Sequence, residues 1–130
     1  MAKELKYQGR TLEELKQLGY SELAKLVGSR ARRTLIRGLT DQQKKFIAQV
    51  KQTQPGKGKP IRTHLRDMII LPEMVGYLFH VYSGRRFEPI AINIEMVGRY
   101  LGEFVRTRQE VKHKAPGVGA TRGTKHVSMK

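Results

Sequence analysis

The stretch Tyr77-Leu78-Phe79-His80-Val81-Tyr82-Ser83-Gly84-Arg85-Arg86-Phe87-Glu88-Pro89-Ile90-Ala91-Ile92 decides the fold class. Tyr77 to Tyr82 has the aromatic and branched residues of a strand, and Ser83-Gly84 supplies a turn. Arg85 to Ile92 then reads as the returning strand of a β-hairpin. Pro89 has no N–H to give to a ladder, so it puts part of that strand at a sheet edge or bulge.

Outward from the hairpin the chain turns helical on both sides. Downstream, Asn93 is placed to cap a helix holding Met96, Val97, Tyr100 and Leu101, with Gly102 closing it. Upstream, Ile61 to Leu65 suits a further strand, and Gln54 to Lys59 is a glycine-rich loop ending at Pro60. Before that loop, Thr40-Asp41 caps a helix whose inner face is Phe46, Ile47 and Val50. Arg30 to Arg37 is helix-compatible and densely basic. Ser21 suits the start of a short helix through Leu23, Leu26 and Val27. Thr11-Leu12-Glu13-Glu14 is a capping box opening a first helix with Leu12, Leu15 and Leu18. The sum is an α+β fold: a small antiparallel sheet with a β-hairpin packed against helices. No internal repeat is present.

The core is expected in Asp67–Phe104. This block holds Met68, Ile69, Ile70, Leu71, Val75, Leu78, Phe79, Val81, Tyr82, Phe87, Ile90, Ile92, Val97, Tyr100, Leu101 and Phe104. The 130 residues suffice for one small domain with arms. We divide them into an N-terminal helical extension (1–38), an α+β core (39–110) and a basic extended tail (111–130). The tail has too few bulky apolar residues to offset its ordering entropy, so it is expected to be disordered in the free protein.

Charge is the strongest functional signal. Lysine and arginine number 26 against 11 acids, a net charge of +15. By segment the net charge is +1 over residues 1–28, +10 over 29–66, −2 over 67–104 and +6 over 105–130. A near-neutral apolar block therefore lies between two cationic stretches, a distribution that seeks a polyanion.

Four clusters are candidates for phosphate binding. Arg30, Arg33 and Arg37 share one helical face, and Arg32 lies beside them; arginine suits phosphate because its planar fork donates two hydrogen bonds. Lys57, Lys59, Arg62, His64 and Arg66 sit next to glycines that let the backbone approach a phosphate. Arg85 and Arg86 form the hairpin tip. Arg106, Arg108, Lys112, His113, Lys114, Arg122 and Lys125 make an arm suited to binding driven by counterion release.

Other functions find little support. With no cysteine, disulfides, thiolate zinc sites and thiol nucleophiles are excluded. The four histidines are at least 13 residues apart, in no metal-ligand spacing, and no P-loop or nucleophile elbow occurs. Glu73, Glu88, Glu95 and Glu103 are read as solvent-facing or ion-paired. No catalytic residue, metal or cofactor is expected. The apolar run Met68–Val81 is broken by Pro72, Glu73, Gly76 and His80, so no membrane span is expected and the protein is read as cytoplasmic. A DNA-binding regulator and an RNA-processing enzyme are the rival readings, and composition alone does not separate the first of these from an RNA binder.

A multi-part motif does. Ser83-Gly84-Arg85, Ile92, Val97-Gly98, Leu101-Gly102-Glu103-Phe104 and Thr107 occur in the order and spacing of a known signature. Together with Ile69–Gly76 and Lys57–Thr63, they resemble the small-subunit ribosomal protein S nineteen family, named S fifteen in eukaryotes. The resemblance covers about residues 40–110. The N-terminal segment, about residues 1–38, is similar to the archaeal and eukaryotic extension, the Lys112–Thr121 tail resembles the eukaryotic-type tail, and an archaeal-type member is expected.

The resemblance implies a structural constituent of the small subunit that binds rRNA in the head. It implies ribosomal protein S thirteen as a neighbour, with the A-site tRNA and the large-subunit contact close by. It makes Gly84, Gly98 and Gly102 backbone features and Arg85 an RNA contact. Glu103 is read as a helix-end partner, Phe104 as a core aromatic and Thr107 as part of the motif. No homo-oligomer is expected.

Overall fold

The structure is a computed structural model that describes residues 5–56 and 58–111 together with Gly123. The expected tail contacts Lys112, His113, Lys114, Arg122 and Lys125, and loop residue Lys57, lie outside the described residues.

Four helices come first: α1 (Leu12–Gln17), α2 (Tyr20–Leu26), α3 (Ser29–Arg37) and α4 (Asp41–Gln52). Two of them open on reciprocal caps. In α1 the Thr11 N–H donates to Glu14 Oε2 at 2.9 Å, and the Glu14 N–H donates to Thr11 Oγ1 at 3.5 Å. In α4 Thr40 and Gln43 exchange the same pair of bonds. Each box satisfies two amide donors that a helix start leaves unpaired. Helix α2 begins one residue before Ser21, with Gly19 at its cap. Helix α3 ends at Gly38, whose φ of +96° breaks the helical path.

The sheet has order β1 (Ile61–Thr63), β2 (Leu78–Tyr82), β3 (Phe87–Ala91). The β2–β3 hairpin is antiparallel, with Tyr82 opposite Phe87 and His80 opposite Pro89. Pro89 lies on an edge strand, where its missing N–H costs least. Strand β1, however, runs parallel to β2. The sheet is therefore mixed and not purely antiparallel. The cause is the long connection from Thr63 to Leu78, which crosses over the core through the 3-10 turn Pro72–Met74 and returns in the same direction.

A second difference concerns the segment after Asn93. It forms two 3-10 turns, Ile94–Met96 and Leu101–Phe104, and no continuous helix. The buried run Met68–Leu71, at most 1% exposed, must find partners for its backbone groups. Residues 98–101 supply three of them, to Met68 and Ile70. The Gly98 N–H donates to Ile70 O at 2.9 Å, the Ile70 N–H to Arg99 O at 2.8 Å, and the Leu101 N–H to Met68 O at 3.0 Å. Lateral bonds replace the helical ones.

The core is one apolar cluster running from Leu23 to Val105. Leu23, Ala24, Val27, Ala31 and Leu35 of the N-terminal helices belong to it, beside Phe46, Phe79, Val81, Ile92 and Leu101. The N-terminal helices thus pack on the α+β core. Gln43, 2% exposed, is a buried polar exception. Its Nε2 donates to Asp67 O at 3.3 Å, which ties α4 to the turn after β1. None of the described helices is long and apolar enough to cross a membrane.

Three residues expected in the core lie outside it. Leu78, Tyr82 and Phe87 face away from the helices, and Leu78 is 47% exposed. Strand alternation forces this. Phe79 and Val81 point inward with Ile90, so their neighbours in sequence must point outward.

Candidate nucleic-acid interface

Helix α3 is the first cationic face. Arg30, Arg33 and Arg37 are exposed, and among the described residues no carboxylate pairs with them. The helix has no acid in its first turn. Its buried side, Ala31 and Leu35, holds it against the core, while Thr34 Oγ1 lies 3.2 Å from the Tyr100 hydroxyl. The rotation of α3 is therefore set, and the three exposed arginines project from a rigid support.

Arg32 differs from its neighbours. Its Nε donates to Ala24 O at 2.9 Å and its Nη2 to Val27 O at 3.4 Å. These are carbonyls at the C-terminal end of α2, which a helix leaves without partners. The Arg32 fork joins α2 to α3.

Arg66 is likewise built into the fold. Its Nη1 donates to Tyr82 O at 2.8 Å and its Nη2 to Gly102 O at 3.1 Å. One guanidinium thus clamps the end of β2 to the Leu101–Phe104 turn. Gly102 fits this clamp closely: a Cβ there would meet Arg66 O at 2.9 Å.

The second cationic face surrounds the hairpin tip. Gly84 takes a φ of +100°, and the Ser83 N–H donates to Arg86 O at 2.8 Å to close the turn. Arg85 is exposed, and its Nη1 donates to Gln109 Oε1 at 2.9 Å. That bond brings the tip beside the departing segment that carries exposed Arg106, Thr107 and Arg108. Arg86 pairs with Glu88 at 3.4 Å, which offsets part of its charge locally.

Lys59, just before β1, and Arg62, within it, are exposed. The Arg62 guanidinium carbon sits 5.6 Å from the Phe87 ring centroid. The His64 ring centroid lies 4.6 Å from that of Tyr82 and 5.2 Å from that of Phe87. Tyr82, Phe87 and His80 join this face although charge patterning does not point to them. Their period-two spacing across the hairpin is the sequence signal that places them together.

The motif residues hold the core together. Gly98 has a φ of +79° and packs directly against Val27, just after α2. Glu103 Oε1 accepts from the Tyr100 N–H at 3.5 Å, and Oε2 lies 3.7 Å from Arg99 Nη1. Phe104 is half-buried against the apolar cluster. Tyr7 packs there too, and burial pushes its phenol above the usual tyrosine range, with Arg99 pulling in the opposite direction. Among the described residues no three His, Asp or Glu side chains gather as a metal ion would require.

Comparison with known proteins agrees with the motif. Residues 33–113 match the family model described as Ribosomal protein S19. The chain is 47% identical over 131 residues to the "Small ribosomal subunit protein uS19" of Cenarchaeum symbiosum (strain A), covering 100% of both chains. It is equally similar, 47% over 131 residues and 100% of both chains, to the protein of the same name from Nitrosopumilus maritimus (strain SCM1). The chain belongs to the ribosomal protein S19 family as an archaeal-type member, and that family consists of structural ribosomal proteins, not enzymes.

Proposed function

We propose that this chain is a structural constituent of the small ribosomal subunit that binds the subunit's rRNA in the head. Its place would be in the cytoplasmic ribosome, beside ribosomal protein S thirteen and near the A-site tRNA and the large-subunit contact. The names of its relatives support the subunit, and the family resemblance supports the finer location.

One observation carries the RNA-binding part. Arg30, Arg33 and Arg37 on α3 and Arg62, Arg85, Arg106 and Arg108 around the hairpin are exposed. Two others of the same clusters, Arg32 and Arg66, are occupied by backbone carbonyls. Exposed arginines that meet no carboxylate among the described residues, held on a rigid near-neutral core, favour phosphate oxygens. By role the chain divides into an N-terminal extension (1–38), a core (39–110) and a tail (111–130).

Neutralising Arg30, Arg33 and Arg37 together tests the reading. Binding of small-subunit head rRNA is measured across a salt series. The slope of log affinity against log salt should become shallower by up to about 0.7–0.9 for each phosphate that is no longer neutralised. An unchanged slope would show that α3 faces water.

A further inference from the structure

We infer that the outer face of the sheet is a stacking platform for one unpaired RNA base, with His64 as its stacking ring. This rests on the RNA-binding reading above and names the part of the RNA that this face takes.

Three observations converge. First, the pairings of Arg62 with His80 and of Tyr82 with Phe87 set these side chains on the face opposite Phe79, Val81 and Ile90. The inner face is covered by the core, whereas Arg62 and His64 are exposed and Tyr82, Phe87 and His80 are only half-buried. Second, the rings of His64, Tyr82 and Phe87 form a triangle with centroids 4.6, 5.2 and 5.3 Å apart. They are tilted 50–77° to one another. A flat ligand therefore stacks on one ring and meets the edges of the others. Arg62 already lies over Phe87, and His64 is the exposed member.

Third, the charge is one-sided. The face carries Arg62 with Arg85 at the adjoining tip. Glu88, the carboxylate of the hairpin strands, is opposite Val81 on the inner-facing register and paired with Arg86. A ligand that offers both a π-face and a negative charge complements this surface, which is the chemistry of a nucleotide. A regular duplex hides its base faces, so the base must be unstacked, as in an RNA loop or bulge. The platform is also held in place beforehand. The Tyr82 hydroxyl donates to Gly84 O at 3.0 Å, and Arg66 grips the Tyr82 carbonyl.

The test compares full-length parent, His64→Ala and His64→Phe for binding to head-domain rRNA, with duplex DNA as a reference and circular dichroism to confirm folding. His64→Ala should weaken rRNA binding by about 5- to 100-fold at an unchanged salt slope, because it removes a stacked base and leaves every phosphate neutralised as before. His64→Phe, which restores a ring, should recover most of the affinity. Equal affinity of all three proteins, with rRNA still preferred over DNA, overturns the platform and leaves the rRNA reading intact. Weaker binding by both variants together with a shallower salt slope overturns it in favour of a charged histidine on phosphate. A parent that does not prefer rRNA removes the underlying reading and the platform with it.

Discussion

Gly98→Ala should be among the most damaging single-methyl changes in this protein. The added Cβ would lie 2.5 Å from Val27 Cγ1, 3.0 Å from Val27 Cβ and 3.1 Å from the Tyr7 hydroxyl. It would also sit at a φ of +79°. Left-handed backbone costs a non-glycine residue about 1–2 kcal/mol. Forcing a methyl into a packed interior costs about 1–3 kcal/mol more. The sum, about 2–5 kcal/mol, is a large part of the stability of a domain this size, and corresponds to a fall in Tm of about 8–20 °C.

Gly84→Ala is the matched control. Gly84 has a φ of +100° but nothing within 4 Å of its missing Cβ. It should incur the backbone strain alone, about 1–2 kcal/mol. Urea denaturation followed by circular dichroism measures both. Val27→Ala then closes a double-mutant cycle. Removing Cγ1 relieves part of the overlap, so the double variant should be about 1–3 kcal/mol more stable than additivity requires. Equal destabilisation by Gly98→Ala and Gly84→Ala, or strict additivity with Val27→Ala, would refute the docking of the end of α2 on the 98–102 segment.

Two further outcomes follow from named interactions. Arg66→Lys keeps the charge but cannot span two carbonyls, so it should lower stability by about 1–2 kcal/mol while leaving the salt slope of rRNA binding unchanged; a changed slope with unchanged stability would make Arg66 a phosphate ligand instead. The raised Tyr7 pKa makes its stabilising effect strongest while the phenol is protonated in both states. Above pH ~10 the unfolded chain releases that proton first, so stability falls as pH rises toward the folded-state pKa. Tyr7→Phe should lack this component. Parallel pH–stability curves for the two proteins between about pH 9 and 11.5 would contradict the burial of the Tyr7 phenol.

What is legible in the sequence is local. Thr11-x-x-Glu14 and Thr40-x-x-Gln43 mark helix starts because a cap involves residues three apart. The hairpin shows itself through alternation and the Ser83-Gly84 turn. The features hidden from the sequence are long-range. No local pattern reveals that Arg66–Ile70 and residues 98–102 exchange backbone hydrogen bonds, and so Asn93 onward reads as a continuous helix that the structure lacks. Nor does alternation say which side of a strand is core when both sides carry large residues, so Tyr82 and Phe87 read as inward when they face out. Among the arginines, Arg30 and Arg32 look alike in sequence. Only the fold shows that the Arg32 guanidinium serves the end of α2 and Arg66 bridges two segments, while no described carboxylate pairs with the exposed Arg30, Arg33 and Arg37. The motif glycines read as backbone features, and the close approach of Val27 supplies the reason for Gly98.

Competition binding at physiological salt tests specific rRNA recognition most directly. Labelled head-domain rRNA of the small subunit is bound to the full-length protein and challenged with equal masses of duplex DNA and of unrelated structured RNA. Unlabelled head rRNA should displace the label far more effectively than either competitor, because exposed arginines held on a fixed core match one arrangement of phosphates. Displacement at equal masses by all three would mean that only net charge is recognised, and would contradict specific rRNA binding.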